Sequence, residues 1–173
     1  MKILKTITVF FLMLVVSPIF AQVGVIANTS EYKAHADGWL VNLEEARLLS
    51  LKTGKPIMAN FTGSDWCGWC KKLKFEVFDK DEFKKWAEKN VVLLELDFPK
   101  KFQLPENIKQ QNAGLQQAFQ VTGYPTIWVF NLGKDDKGQY TIESLGKTGY
   151  VNGVAAFTDG VDAMIKQAKE KKK

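Results

Sequence analysis

The chain has 173 residues, of which 46% are hydrophobic and 25% charged, and its formal net charge is +5. This length suits one domain with a substantial core better than two domains. Arg47 is the single arginine, so the positive charge is almost entirely lysine, and no nucleic-acid partner is expected because phosphate and base-edge recognition favours the guanidinium group.

The N-terminus has the pattern of a secretory signal peptide. Lys2 and Lys5 precede an apolar run over residues 7–16, and a small residue, Ala21, stands at the expected cleavage position. The run is shorter than the ~20 residues that a membrane-spanning helix needs. We therefore expect residues 1–21 to be removed and the mature chain to be periplasmic or secreted, with a retained N-terminal anchor as the alternative.

The first elements follow a polar segment. Residues 28–37 are polar and have no periodicity, which predicts that residues 22–37 are a flexible lead-in before a domain over residues 38–173. A short edge strand is predicted at residues 38–41. The side chain of Asn42 is then suited to capping a helix, and Gly54 is suited to ending it.

The middle of the chain alternates short apolar runs with helical patterns. Residues 56–61 are predicted as a buried strand. Asp81 is the predicted cap of a helix through Lys89. Residues 91–98 begin with an apolar run that suits the interior of a sheet covered on both faces. Residues 98–111 then predict a long loop, which either shapes partner choice or is an inert insertion.

The last third of the chain continues the alternation of helices and strands. A helix is predicted over residues 108–120, with Gly123 as the residue that breaks it. Two strands, at residues 126–131 and 139–145, are joined by hairpin turn residues. An amphipathic helix over residues 153–169 closes the chain. The order predicts an α/β domain with a central mixed sheet flanked by helices on both faces.

The two cysteines of the chain lie where a predicted strand ends and a helix begins, in Trp66-Cys67-Gly68-Trp69-Cys70. A helix N-terminus stabilises the thiolate of the first cysteine, Cys67, which is the form that attacks disulfides. Cys70 lies a turn further in and can reach back to the first sulfur. The pair is therefore predicted to be a reversible two-electron switch.

The residues around the pair bear on three other functions of the two cysteines. A structural zinc site needs four ligands, and the one histidine, His35, lies in the polar lead-in and is assigned no catalytic role. Covalent haem attachment needs histidine where Lys71 stands. A buried inert pair stays open, although Gly68 and the adjacent tryptophans suit an exposed surface. No metal or organic cofactor is expected.

Residues 56–70, together with Gly123-Tyr124-Pro125-Thr126, resemble the thioredoxin family. Within it, residues 62–67 and 76–78 look closest to secreted thioredoxin-like proteins and to the periplasmic domain of the membrane-embedded disulfide reductase. Thioredoxin itself is a poorer match, because Trp69 stands where it usually has proline. The resemblance implies a thioredoxin-like fold.

The resemblance also implies the residues that contact a substrate. The family has a cis peptide bond before the proline at the position of Pro125, and the backbone of the preceding residue, here Tyr124, binds the substrate chain. The expected substrate contacts are Trp66, Gly68, Trp69, Tyr124 and Pro125.

One position departs from the family pattern. The family has a buried acid that helps to move a proton from the second cysteine, and this chain has Asn60 there. The proton acceptor for Cys70 is therefore open among Asp65, Glu95 and a chain of water molecules.

The expected activity is dithiol–disulfide exchange, with Cys67 as nucleophile and Cys70 as resolving cysteine. The expected partners are protein thiols or disulfides and a membrane electron-donor protein, with the chain itself a monomer. A thioredoxin-like binding or chaperone-type module is the first alternative. A peroxide-handling enzyme is the second, and it is disfavoured because Arg47 lies on the first helix, away from the cysteines. The direction of electron flow is not predicted.

Overall fold

The computed structural model describes residues 32–171, so the predicted signal peptide and most of the predicted lead-in lie outside the described residues. Within the described range, no helix is long and apolar enough to cross a membrane. In chain order the elements are α1 (Leu43–Thr53), β1 (Ile57–Thr62), α2 (Gly68–Leu73), a π-helical segment (Lys74–Phe78), α3 (Asp81–Asn90), β2 (Val92–Asp97), α4 (Glu106–Ala118), β3 (Thr126–Lys134), β4 (Tyr140–Thr148) and α5 (Val154–Glu170).

The four strands form one mixed sheet in the order β2-β1-β3-β4. Strand β1 is parallel to β2 and antiparallel to β3, and β3 is antiparallel to β4. Helices pack on both faces of this sheet. The predicted α/β class with a central mixed sheet is therefore confirmed.

Two strand predictions need correction. Residues 38–41 form a single parallel bridge, between Leu40 and Leu94, in place of a full edge strand. Strand β2 lies at the edge of the four-stranded sheet and not in its interior. Its apolar residues reflect burial on both faces, which an edge strand also has when helices cover both sides.

Local side-chain chemistry explains where α1 begins and ends. The Asn42 Oδ1 accepts hydrogen bonds from the backbone N–H groups of Glu44 and Glu45, at 2.9 and 3.1 Å. Gly54 follows the helix with a φ of 69°, in the left-handed region that favours glycine. The predicted cap and stop of α1 are thus confirmed.

The predicted limits of α3 and α4 were less accurate. Asp81 is the first residue of α3, and the extended residue before it, Lys80, makes no capping hydrogen bond with its side chain. Helix α4 ends at Ala118, before Gly123, because the chain turns at Gln120, which has a φ of 50°. The long loop is correspondingly shorter than predicted, since α4 begins at Glu106.

The core consists of two apolar clusters, one on each face of the sheet. Ala59 and Phe61 of β1 pack into the cluster under α1 and α4, whereas Met58 packs into the cluster under α2, α3 and α5. Successive residues of a strand face opposite sides of the sheet. Asn60 therefore faces the same side as Met58, toward α2.

Candidate active site

The two cysteines are joined by a disulfide at the start of α2, with Cα atoms 5.2 Å apart. Cys67 is the N-cap residue of the helix, and its Sγ accepts a hydrogen bond from the backbone N–H of Cys70 at 3.1 Å. Hydrogen bonding to the charged form of an acid favours that form. In the reduced protein the same N–H is therefore placed to stabilise a thiolate at Cys67.

The sulfur atoms are less exposed than the sequence suggested. In this disulfide form Cys67 is 6% and Cys70 5% exposed, although Gly68 and the adjacent tryptophans favoured an exposed surface. The capping hydrogen bond turns the Cys67 side chain inward, toward the first turn of the helix. The exposed groups around the disulfide are Trp66, Gly68 and Trp69.

Trp66, which precedes Cys67 in the chain, is fixed by three contacts. Its indole Nε1 donates to the carbonyl of Phe98 at 2.8 Å, and its ring meets that of Tyr124 edge-on, with centroids 5.7 Å apart. The ammonium of Lys100 lies 4.0 Å from the ring centroid. The indole also passes so close to Gly63 that a Cβ there would lie within 3.0 Å of it.

Trp69, which lies between the two cysteines in the chain, packs on Tyr150, with ring centroids 5.0 Å apart. The ammonium of Lys72 lies 5.2 Å from both ring centroids. The Tyr150 hydroxyl donates a short hydrogen bond to the carboxylate of Glu76. Each tryptophan beside the disulfide thus has an aromatic neighbour and a lysine above it.

The peptide bond between Tyr124 and Pro125 is cis, as the resemblance implies. The Tyr124 hydroxyl accepts a hydrogen bond from the Gln116 side chain at 2.6 Å, and the contact with Trp66 brings this loop to the cysteine motif. The substrate-binding roles of these residues stay predictions.

A cavity of about 260 Å³ lies behind the disulfide and is lined by Cys70 from α2, Asn60 from β1 and Glu95 from β2. Asn60 is 7% exposed, and its Oδ1 has no hydrogen-bond partner among the described residues. The position that the resemblance assigned to Asn60, close to the second cysteine, agrees with this placement.

His35, which the sequence placed in the polar lead-in, is exposed to solvent and also lines this cavity. Its ring Nδ1 lies 2.9 Å from the Glu95 Oε1, and its backbone N–H donates to the same oxygen at 3.0 Å. A glutamate inside an apolar strand was a signal that a polar partner must exist, because buried charges are paired. Nothing in the polar segment around His35 indicated which residue that partner is.

Asp65, another candidate proton acceptor, is engaged elsewhere. Its carboxylate accepts hydrogen bonds from the backbone N–H groups of Lys100 and Lys101. Desolvation raises the pKa of Asp65, but these hydrogen bonds outweigh it and the pKa is lowered. Asp65 therefore holds the loop after β2 and does not line the cavity behind Cys70.

The fold and the cysteine site agree with the protein family to which this chain is assigned by sequence. The family model for a thioredoxin-like domain matches residues 43–148. The chain therefore belongs to the thioredoxin-like family, and the resemblance and fold predicted from the sequence are confirmed.

Two proteins of Chlamydia pneumoniae are similar in sequence to this chain. The chain is 36% identical over 110 residues to the disulfide bond reductase DsbH of Chlamydia pneumoniae, an alignment that covers 64% of this chain and 66% of that protein. It is 32% identical over 108 residues to the thioredoxin-related protein DsbJ of Chlamydia pneumoniae, covering 62% of this chain and 30% of that protein. The chain thus spans just under two thirds of the first relative and less than a third of the second.

Solved structures agree with this assignment. A structure described as DsbH oxidoreductase superposes with a TM-score of 0.63 at 31% identity, covering 79% of this chain and 92% of that chain. A thioredoxin from Thermus thermophilus superposes with a TM-score of 0.50 at 17% identity, covering 73% and 83%, which shows the common fold.

Proposed function

We propose that this protein is an extracytoplasmic thiol–disulfide oxidoreductase that reduces disulfides of protein partners. The observation that carries the proposal is the Cys67–Cys70 disulfide at the start of α2, where the Cys67 Sγ accepts the backbone N–H of Cys70. A thiolate stabilised at the first position and a second sulfur within bonding reach are what disulfide exchange requires.

The reaction has two steps. In the reduced protein, the Cys67 thiolate attacks one sulfur of a client disulfide, which forms a mixed disulfide and expels the other client sulfur as a thiolate. Cys70 then loses its proton and attacks the Cys67 Sγ. This restores the Cys67–Cys70 disulfide and releases the second client thiolate. Two electrons pass from the cysteine pair to the client, whose thiolates then take up protons.

The surface around the disulfide supports a protein client. Trp66 and Trp69 are both exposed beside the sulfurs, and aromatic rings provide large contact areas at interfaces. Lys100 and Lys72 lie over these rings. The surface therefore suits an extended client segment with apolar side chains around its cysteine.

The direction and the compartment rest on two further supports. The name of the relative DsbH, a disulfide bond reductase, favours reduction over oxidation. The signal-peptide pattern of residues 1–21 favours a location outside the cytoplasm. A reductase outside the cytoplasm must be reduced again after each reaction, so the proposal includes a membrane electron-donor protein. It also includes a monomeric state for this chain.

Insulin reduction tests the activity. With dithiothreitol as the electron source, the wild-type protein should accelerate the precipitation of the insulin B chain, and Cys67→Ser should abolish this acceleration. If wild type gave no acceleration and yet bound unfolded chains, the protein would be a binding module with a locked disulfide. If it oxidised reduced clients faster than it reduced disulfides, the assigned direction would be wrong.

A further inference from the structure

A carboxylate and an imidazole form a pair in the cavity behind Cys70. Glu95 is 5% exposed, and both hydrogen bonds that it receives, from the ring and the backbone N–H of His35, reach Oε1. The carboxylate is thus anchored through Oε1 at the wall of the cavity that Cys70 also lines.

Asn60 provides a second, independent observation. It is paired with Glu95 across the parallel strands β1 and β2, and it lines the same cavity. Its buried Oδ1 has no hydrogen-bond partner in the described part of the chain. A buried acceptor without a partner is costly, so this oxygen indicates a polar ligand in the cavity. An amide cannot act as a general base, whereas the carboxylate on the adjacent strand has the chemistry to do so.

The cavity walls carry two lysines, and both ammonium groups are held elsewhere. The Lys71 Nζ donates to the carbonyl of Asp65 at 2.9 Å, and the Lys74 Nζ donates to the carboxylate of Asp79 at 2.6 Å. Of the described carboxylates, Glu95 alone lines the cavity with Cys70.

Two other titratable groups flank the pair. The Asp97 Oδ2 lies 3.8 Å from the ring of His35, and its carboxylate already accepts the backbone N–H and the hydroxyl of Ser64. Burial, followed by the charges of Asp97 and Glu95, raises the pKa of Tyr32, which keeps that phenol neutral. Neither group lines the cavity.

We infer that Glu95 is the proton acceptor for Cys70 when the mixed disulfide is resolved, and that His35 positions Glu95 and passes the proton to solvent. This inference rests on the proposed thiol–disulfide exchange. The proton of the Cys70 thiol moves across the cavity to the Glu95 carboxylate. The electron pair left on the Cys70 sulfur forms the bond to the Cys67 sulfur, and the bond between Cys67 and the client breaks with its electron pair on the client thiolate.

The exposure of the two side chains supports the direction of this proton route. Glu95 is buried, whereas the side chain of His35 is 36% exposed. The hydrogen bond to Glu95 raises the pKa of His35 against an opposing effect of burial, and nearby negative charges raise it further. The imidazole can therefore take the proton from Glu95 and exchange it with water near neutral pH.

The test separates the two steps of the reaction by quenched flow. Reduced protein is mixed with a fluorescent peptide disulfide and quenched in acid, and the mixed disulfide at Cys67 is quantified with time. In Glu95→Gln, the mixed disulfide should accumulate, with resolution slowed about 100-fold near neutral pH while its formation is unchanged. Glu106→Gln, at an exposed position of α4, is the matched control and should resolve at the wild-type rate.

The pH dependence distinguishes loss of a base from loss of structure. The wild-type rate of resolution should change little with pH around neutrality, whereas the rate in Glu95→Gln should rise about tenfold per pH unit toward the ~8.5 of a free thiol. His35→Gln keeps a donor for Glu95 but cannot exchange protons, so it should slow resolution without slowing attack. Asn60→Asp combined with Glu95→Gln moves the carboxylate to the paired strand and should restore resolution.

The outcomes separate this inference from the proposed function. Wild-type resolution rates in Glu95→Gln would overturn the inference and leave the proposed function standing. A wild-type protein that forms no mixed disulfide would overturn the proposed function itself. If Glu95→Gln misfolded and lost both steps, the double variant Asn60→Asp with Glu95→Gln would test the inference instead. A double variant that forms the mixed disulfide at the normal rate and fails to resolve it would contradict a carboxylate base.

Discussion

The ring Nδ1 of His35 lies 2.9 Å from the Glu95 Oε1, although the two residues are 60 positions apart in the sequence. This contact places His35, which precedes α1, at the cavity that Cys70 also lines. The segment before α1 is thus part of the candidate site.

His35 is the one histidine of the chain, so its imidazole resonances can be titrated without overlap. The hydrogen bond to Glu95 raises the pKa of His35 above 6.5. NMR titration should show this raised pKa in wild type and a lower pKa in Glu95→Gln. An unchanged pKa in the variant would mean that the pair does not form in solution.

The same pair makes stability depend on pH. The pKa of His35 is raised in the folded protein. The stability that the protonated imidazole provides is therefore complete below the unfolded pKa of 6.5, and it is lost as the pH rises through the folded pKa. The free energy of unfolding should therefore fall as the pH rises above about 6.5. Urea unfolding should show a flatter dependence in Glu95→Gln, and equal slopes would contradict the assignment.

The two sulfurs should differ in reactivity once the disulfide is reduced. The backbone N–H of Cys70 faces the Cys67 sulfur, so alkylation near neutral pH should be faster at Cys67. Mass spectrometry of protein alkylated for increasing times, with Cys67→Ser and Cys70→Ser as references, measures both rates. Equal rates would remove the basis for assigning Cys67 as the nucleophile.

Several elements were predictable from the sequence because their signals are local. The cap at Asn42, the stop at Gly54 and the cysteine motif at a strand–helix junction each depend on neighbouring residues. The pairing of His35 with Glu95 and the edge position of β2 depend on contacts between distant segments, and no local pattern encodes them. The orientation of the Cys67 sulfur toward the helix could not be predicted either, because it follows from the hydrogen bond that this sulfur accepts at the start of α2.

Gly63 should be needed for the position of Trp66. In Gly63→Ala, the new Cβ would collide with the indole and break its hydrogen bond to the Phe98 carbonyl, which is worth about 1 kcal/mol. We expect a several-fold higher KM for a peptide disulfide and an unchanged rate with a small disulfide. Gly114→Ala is the control, since a Cβ there meets nothing within 4 Å and alanine favours the helix. A KM unchanged by Gly63→Ala would exclude Trp66 from the client surface.

The N-terminal cap of α1 should contribute to stability and not to exchange. Asn42→Ala removes the acceptor for two backbone N–H groups and should lower the free energy of unfolding by about 1 kcal/mol. Asn42→Asp keeps an acceptor and should restore most of this loss. Chemical denaturation measures both variants, and an alanine variant as stable as wild type would show that the cap is dispensable.

Trapping of mixed disulfides tests the central claim most directly. In Cys70→Ser, the Cys67 thiolate can attack a client disulfide but nothing releases the client, so a covalent complex with a peptide disulfide or insulin should accumulate and be released by reductant. Cys67→Ser should trap far less. Equal trapping by the two variants, or trapping by neither while wild type also fails to reduce insulin, would contradict thiol–disulfide exchange at this site.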